Sequence, residues 1–314
     1  MRVVYMGTGD IGLPALRSLL ARPGCEVVAV VTQPDRPAGR GKRLRAPETR
    51  IVAEAAGVSV LQPEKMRAPA AVAELAAFAP DVIVVMAYGQ ILPRSVLDLP
   101  RLACLNLHAS ILPRHRGAAP IQASILAGDA ETGVTVMHMA EGLDTGDMLL
   151  TRSFPIAPDE TGGSLHDRLA DLAPEALAAA LDLLEAGSAP RFPQDDALAT
   201  YAGRLTRDDG RIDWTRPAVE IERLVRAMNP WPAASTELPL ADGTRAKVKV
   251  FAATVLPEVA GDPGVVLSTG TAGVDVATAG GGLRLLEIQG EGGRRMAAVD
   301  WLRGHAVVPG GRAG

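Results

Sequence analysis

The sequence has 314 residues, enough for two domains, because single hydrophobic cores rarely grow beyond about 250 to 300 residues. Hydrophobic residues make up 47% and charged residues 22%, and the net charge is −4, which excludes a generally basic nucleic-acid-binding chain. No apolar run approaches the roughly 18 residues that a membrane helix needs, and Cys25 and Cys104 lie in or beside apolar runs, as reduced buried thiols do. We therefore expect a cytoplasmic monomer with no membrane partner.

A glycine turn, Gly7-Thr8-Gly9-Asp10-Ile11-Gly12, joins a first predicted strand to a helix that begins at Leu13. The turn matches the dinucleotide-binding pattern G-x-G-x-x-G. A nicotinamide site also requires an acidic residue at the end of the second strand, where it binds the ribose. That strand ends in Thr32-Gln33-Pro34 and Asp35 lies beyond it, so the turn favours a tight crossover over NAD binding.

The segment from Pro34 to Arg50 is basic and rich in glycine and proline, and we predict a mobile loop without regular structure. A run of charge is usually a solvated surface. A glycine-rich loop of this kind can also reach the phosphates of a nucleic acid, and the side chains available for that contact include Arg36, Arg40, Lys42 and Arg43.

Further along, Asp81 is followed by an uninterrupted apolar run from Val82 to Met86, which is typical of a parallel strand covered on both faces. It ends in Ala87-Tyr88-Gly89. In an open α/β sheet, ligands bind at the carboxyl ends of the strands, so this loop is a candidate binding element.

The next predicted strand contains Asn106 and His108 two residues apart, so both side chains project from one face, roughly 7 Å apart. After a loop, a helix that tolerates Pro120 in its first turn and another strand, the chain reaches Gly142-Leu143-Asp144-Thr145-Gly146-Asp147. Glycines on both sides of Asp144 predict a sharp backbone bend there.

These three side chains suit acyl transfer to an amine. The amide of Asn106 can donate to an oxyanion, His108 can move a proton near neutral pH, and Asp144 can orient the imidazole. The amine would supply the nucleophile, so no serine or cysteine is required. Only five histidines and two cysteines are present, without a metal-binding spacing, and we expect no metal in the protein.

The pattern Asn-x-His at 106–108, the run SILPRHRGAAPIQ that follows, and Gly142 to Asp147 together resemble the signature of the 10-formyltetrahydrofolate-dependent formyltransferases. The likeness runs over nearly the whole chain, to TRDDGRIDW and NPWPAA. It implies that Asn106, His108 and Asp144 are catalytic, and that 10-formyltetrahydrofolate is a substrate rather than a bound cofactor. It also implies that the formyl group is transferred to the amino group of charged initiator methionyl-tRNA.

The resemblance implies binding residues as well. The segment matching Ser110, Ile111, Leu112 and Pro113 contacts folate in that family, and the sheet edge adds Met86, Tyr88 and Gly89 to the expected folate pocket. The basic segment matches an insertion that contacts tRNA, in which the arginine matching Arg40 is functionally important.

For the domain organisation we expect a Rossmann-like α/β catalytic domain over residues 1–189, a linker over 190–206 and a small β-barrel domain over 207–314. Short strands separated by glycine turns predict the barrel. The resemblance implies that it is OB-like and assists tRNA binding, although its balanced charge gives that role no independent support.

Four other functions remain open at this stage. A formyltransferase acting on a glycinamide ribonucleotide would share the catalytic set without needing the basic segment or the barrel, and one acting on a sugar nucleotide or another small amine could have both domains. A nicotinamide-dependent dehydrogenase would use the glycine turn, but it lacks the ribose-binding acid. A non-catalytic RNA-binding protein would use the basic segment and would not need the Asn-His-Asp set.

Overall fold

The computed structural model describes residues 1–38 and 43–314. The chain divides into two compact units. The first comprises Met1–Pro120, Glu131–Pro155 and His166–Ala202, and the second comprises Ile121–Ala130, Ile156–Leu165 and Gly203–Gly314. No helix in the described part of the chain is both long and apolar enough to cross a membrane.

The first unit is built on seven strands in the order β10-β9-β7-β6-β1-β2-β5. The five strands β7, β6, β1, β2 and β5 run parallel to one another. Strand β9 runs antiparallel to β7, and β10 runs antiparallel to β9. Two further short pairs, β3–β4 and β8–β11, lie outside the sheet. The strands of this unit are β1 (Arg2–Gly7), β2 (Glu26–Val31), β3 (Arg36–Ala38), β4 (Arg43–Arg45), β5 (Ser59–Leu61), β6 (Val82–Met86), β7 (Ala103–His108), β8 (Arg116–Gly117), β9 (Glu131–His138), β10 (Met148–Pro155) and β11 (Tyr201–Ala202).

The helices that accompany these strands follow the apolar periodicity of the sequence. In the first unit they are α1 (Leu13–Ala21), α2 (Glu48–Ala55), α3 (Pro69–Ala76), α4 (Arg94–Leu97) and most of α6 (Gly162–Glu185), whereas α5 (Pro120–Ala127) falls, apart from Pro120, in the second unit. Prolines stand at the first or second position of α1 and α3 and begin α5, where a missing N–H costs no helical hydrogen bond.

Residues of β6 are buried along their whole length, as the sequence predicted for a strand between two parallel neighbours. Aliphatic side chains on one side of the sheet form a single cluster with few aromatic members. This sheet therefore places the carboxyl ends of β6 and β7 side by side, with Val85 opposite Asn106.

The glycine turn after β1 closes onto the end of β6. The amides of Thr8 and Gly9 both donate to the carbonyl oxygen of Ala87, at 3.2 and 3.3 Å. The Tyr5 hydroxyl donates to the carbonyl oxygen of Gly12, and a Cβ at Gly12 would collide with that hydroxyl. Two amides that could face a phosphate in a dinucleotide site are thus used within the protein, which agrees with the structural interpretation of the turn.

The prediction that residues 34–50 lack regular structure is wrong at both ends of the segment. The strands β3 and β4 pair antiparallel, with Pro37 opposite Leu44, and α2 already begins at Glu48. A proline fits here because each strand of a two-stranded ribbon has an open edge, toward which a residue without an N–H can face.

The second unit contains an antiparallel sheet in the order β12-β13-β16-β15-β14, with β17 on β16. Its strands are β12 (Ala234–Pro239), β13 (Arg245–Leu256), β14 (Val266–Gly270), β15 (Gly273–Ala277), β16 (Gly282–Gly290) and β17 (Met296–Ala297), and its helices are α7 (Ala218–Ala227) and α8 (Ala298–Leu302). Irregularities in pairing bend β13, and the sheet curls into a half-barrel around an aliphatic core. The predicted α/β fold with a small OB-like barrel is confirmed.

Candidate active site

The side chains of Asn106, His108 and Asp144 meet in the first unit. Asn106 and His108 lie on β7, where residues two apart face the same side, and both are nearly buried. The Nδ2 of Asn106 donates to Oδ1 of Asp144 at 3.4 Å, and Nδ1 of His108 lies 3.6 Å from Oδ2 of the same carboxylate. The structure therefore brings together all three residues that the sequence singled out for catalysis.

The backbone of Asp144 has an unusual conformation. Its φ is +51°, in the left-handed region, which aspartate enters more readily than most residues because its short polar side chain bonds locally. Its Oδ2 accepts the N–H of Gly117 at 2.8 Å. The bend expected from the glycines falls on Asp144 itself. Gly146 is required for space instead, because a Cβ there would collide with the carbonyl oxygen of His138.

His108 lies between two hydrogen-bond acceptors. Its Nε2 is 2.9 Å from the carbonyl oxygen of His115, and its Nδ1 faces the carboxylate of Asp144. A neutral imidazole has one N–H, so it can donate to only one of these acceptors, whereas the doubly protonated ring donates to both. Both ring nitrogens of His108 therefore face oxygen acceptors of the protein.

The amide of Asn106 is only partly used by its neighbours. One N–H is directed at Asp144, and the second donates to no atom of the residues that the structure describes. That second N–H is available to an oxygen bound at the carboxyl end of β7, where a developing oxyanion would benefit from a fixed donor.

The segment from Ser110 to Pro113 forms a tight turn held by Thr135 of β9. The Thr135 hydroxyl donates to the carbonyl oxygen of Ser110 at 2.7 Å and accepts the N–H of Leu112 at 3.2 Å. Ser110 donates its own hydroxyl to the carbonyl oxygen of Arg114. Leu112 is buried, whereas Ile111 and Pro113 keep part of their surface exposed. The role of Thr135 was not predicted from the sequence, where it appears only as one polar residue in a strand that alternates apolar and polar side chains.

Residues 86–89 adjoin this turn through the neighbouring strand β6. The side chains of Met86 and Tyr88 are buried, with 1% and 2% of their surface exposed. Burial raises the pKa of Tyr88 to about 12. The carbonyl oxygen of Tyr88 accepts from Thr8 and Gln33, and Gly89, with φ +84°, is exposed. Of the three residues predicted here to contact folate, only Gly89 is exposed to solvent.

The basic segment is described only in part. Arg36, on β3, is exposed and donates to Oε1 of Gln33 at 3.3 Å, and Arg43 lies on β4 opposite Ala38. Arg40 and Lys42 lie outside the described residues. Residues 1–38 and 43–314 contain no group of three His, Cys, Asp or Glu side chains that could hold a metal ion.

Residues 192–202, in the predicted linker, pack against the candidate active site. Thr200 accepts the N–H of His115 at 2.9 Å, and Arg116, almost fully buried, donates to Asp196 at 2.7 Å. The strands β11 and β8 pair alongside. No local pattern predicts these contacts, because they join residues 80 to 85 positions apart.

Comparison with known proteins covers both units. A family model described as formyl transferase matches residues 1–181, and a model of the formyl transferase C-terminal domain matches residues 204–306. The methionyl-tRNA formyltransferase of Akkermansia muciniphila is 48% identical over 306 residues, covering 97% of each chain. That of Pseudomonas entomophila is 52% identical over 300 residues, covering 96% of this chain and 94% of the relative.

Two solved structures share the fold. HypX from Aquifex aeolicus in complex with tetrahydrofolic acid has a TM-score of 0.60 and 19% identity over 96% of this chain, which spans about half of HypX (47%). The N-formyltransferase from Helicobacter canadensis, in complex with folinic acid and dTDP-3-aminofucose, has a TM-score of 0.63 and 17% identity, covering 90% of this chain and 98% of that one. At these identities the likeness establishes the fold alone.

The close packing at Gly146 gives a first prediction. Gly146→Ala should lower the free energy of unfolding by about 1–3 kcal/mol, because the added methyl group forces the 141–147 turn away from β9. Urea unfolding measures this change. Gly304→Ala is the matched control, since nothing lies within 4 Å of a Cβ at that position. Equal stability of the two variants would contradict the packing described for the turn.

Proposed function

The chain belongs to the formyl transferase family, and we propose that Asn106, His108 and Asp144 carry out its reaction, in which the formyl group of 10-formyltetrahydrofolate is transferred to the amino group of methionyl-tRNA. The observation that carries the choice of acceptor is the match, at 48% and 52% identity over nearly the full chain, to methionyl-tRNA formyltransferases. The folate donor is used as a substrate.

In the proposed mechanism the amine nitrogen attacks the formyl carbon, forming a C–N bond and a tetrahedral intermediate with a negative oxygen. The second N–H of Asn106 donates to that oxygen. The proton lost by the amine passes through His108 to N10 of the folate as the old C–N bond breaks. Asp144, 3.6 Å from Nδ1 of His108, stabilises the ring while it carries both protons.

For the folate we propose binding along the carboxyl ends of β6 and β7. Ile111, Pro113 and Gly89 present the exposed surface there, and Ser110 and Leu112 keep the turn in shape through Thr135. Met86 and Tyr88 support this edge from the core side. These assignments are supported by the position of the residues around Asn106 and by the family of the chain.

For the tRNA we propose two contact regions, the basic segment with Arg36, Arg40, Lys42 and Arg43, and the half-barrel of the C-terminal domain. A surface cavity of about 630 Å³ on the half-barrel is lined by Arg207, Arg211, Lys247 and Lys249 together with three acidic residues. Its small positive excess fits a supporting contact with phosphates rather than a strong one. We keep the division into residues 1–189, 190–206 and 207–314 as a proposal, and propose a cytoplasmic monomer that selects the initiator tRNA.

One alternative has a specific observation in its favour. The fold is shared with an N-formyltransferase whose complex holds folinic acid and an amino-sugar nucleotide. A small amine could therefore replace methionyl-tRNA as the acceptor.

An acceptor screen tests the proposed reaction directly. Purified protein with 10-formyltetrahydrofolate should formylate charged initiator methionyl-tRNA, and should turn over dTDP-linked amino sugars and glycinamide ribonucleotide far more slowly. Mass spectrometry of the acceptor measures formylation. Uncharged tRNA serves as the negative control, because it lacks the amine. Preference for an amino-sugar nucleotide would replace the proposed acceptor.

A second prediction concerns the catalytic residues. Asn106→Ala should lower kcat by roughly 10²- to 10³-fold, because an oxyanion donor is lost, while folate affinity changes little. His108→Ala should lose at least as much. Steady-state kinetics at saturating substrates and equilibrium folate binding separate the two effects. Near-normal kcat in either variant would refute the assigned role.

A third prediction concerns the basic segment. Replacing Arg40, Lys42 and Arg43 with Ala should weaken use of charged tRNA and lower the salt slope of tRNA binding by up to about one unit per lost phosphate contact. Folate binding and the melting temperature should stay unchanged.

The control replaces three exposed arginines elsewhere, Arg94, Arg101 and Arg303, with Ala, which removes the same formal charge. Equal tRNA affinities of the two triple variants would show that net charge alone matters. Loss of folate binding in the first variant would instead indicate a segment that folds over a smaller acceptor.

A further inference from the structure

Gln194 connects three parts of the candidate active site. Its Nε2 donates to the carbonyl oxygens of Asp144 and Gly146, each at 2.8 Å. Its Oε1 accepts the Nε–H of Arg116 at 3.0 Å. A side-chain amide has two N–H groups and one oxygen, so both donors and the acceptor of this side chain are engaged around the acid.

The two carbonyl groups that Gln194 binds lie at Asp144 and two residues after it, so these bonds restrain the backbone that sets the direction of the Asp144 side chain. A left-handed backbone at a residue other than glycine is unfavourable and persists only where the surroundings enforce it. Gln194 binds the carbonyl group of the left-handed residue itself and that of the residue two positions later. Without these bonds, Asp144 would be free to return to an ordinary conformation, which would redirect its carboxylate.

Gln194 is also linked to the carboxylate of Asp144 indirectly, through Arg116 and the residue that follows it. Arg116 is 2% exposed, and its guanidinium is held by Gln194 and by Asp196, which is 84% exposed. The next residue, Gly117, donates its N–H to Oδ2 of Asp144 at 2.8 Å. Gln194 therefore binds the backbone of Asp144 and also Arg116, which precedes the Gly117 amide that binds the Asp144 carboxylate.

We propose that Gln194 is a positioning residue for formyl transfer: it holds Asp144 in the left-handed conformation that keeps its carboxylate beside His108. This inference rests on the proposed function, because it requires Asp144 to act on His108. Among the described residues, the hydrogen bonds of Gln194 go to Arg116, Asp144 and Gly146 and not to Asn106 or His108, so it acts through the acid.

The test begins with Gln194→Met, which keeps the length of the side chain and removes its hydrogen bonds. We expect kcat to fall by on the order of 10- to 100-fold with KM for both substrates little changed, because a small displacement of a catalytic group slows the chemical step. Gln194→Glu provides a second variant. Its carboxylate still pairs with Arg116 but cannot donate to the two carbonyl oxygens, so kcat should fall similarly, and this variant carries the test if the methionine variant does not fold.

A double-mutant cycle separates positioning from general stability. In an Asp144→Ala background, Gln194→Met should lower kcat no further, because the residue through which it acts is gone. A merely structural glutamine would cause the same additional loss in both backgrounds, and that result would overturn the inference.

Gln62 offers a matched control outside the candidate active site. It also donates twice through Nε2, to the carbonyl oxygen of Gln33 and to Asp35, and its Oε1 also accepts from an arginine, Arg50. Gln62→Met should lower the melting temperature about as much as Gln194→Met and leave kcat at saturating substrates unchanged. An equal loss of kcat in both variants would overturn the positioning role.

The outcomes also distinguish this inference from the proposed function. Normal kcat in Gln194→Met together with a strong loss in Asp144→Ala would overturn only the role of Gln194. Normal kcat in Asp144→Ala would overturn the proposed catalytic assignment itself.

Discussion

The carboxylate of Asp144 is the point on which the candidate active site depends. One oxygen accepts the backbone N–H of Gly117 at 2.8 Å, and the two oxygens face Asn106 and His108 at 3.4 and 3.6 Å. A charged hydrogen bond to a backbone amide is stronger and better fixed than the two longer contacts. The acid is therefore anchored by the main chain, and the two side chains of β7 keep some freedom to engage a substrate.

The sheet explains how residues from distant parts of the chain reach this carboxylate. The parallel strands β6 and β7 end at one edge of the sheet. Strand β9 runs antiparallel to β7, with Thr135 opposite His108 and His138 opposite Leu105, so it carries the chain back along β7 before the 141–147 turn begins. The N–H of His138 donates to the carbonyl oxygen of Asp147, which closes that turn against β9.

The sequence predicted the features that depend on local pattern. Alternation placed Asn106 and His108 on one face of a strand, and the apolar run that follows Asp81 indicated a buried parallel strand, both of which the structure contains. Two kinds of feature were not predicted. Strands β3 and β4 pair within a short segment whose glycines and prolines predicted a loop. The hydrogen bonds of Gln194 and Thr200 join residues 50 and 85 positions apart, and local sequence pattern carries no information about such contacts.

Conformational strain is concentrated where the chemistry is proposed. Of the five residues other than glycine with a left-handed backbone among those described, Asp144, His115 and Ala87 border the candidate active site. Each is restrained by contacts from elsewhere in the chain: Gln194 binds the carbonyl group of Asp144, Thr200 binds the amide of His115, and the carbonyl oxygen of Ala87 accepts from the glycine turn. Strained residues persist only where neighbouring structure enforces them, at about 1–3 kcal/mol each. Residues 192–202 thus pack as part of the candidate active site, although their sequence resembles that of a linker.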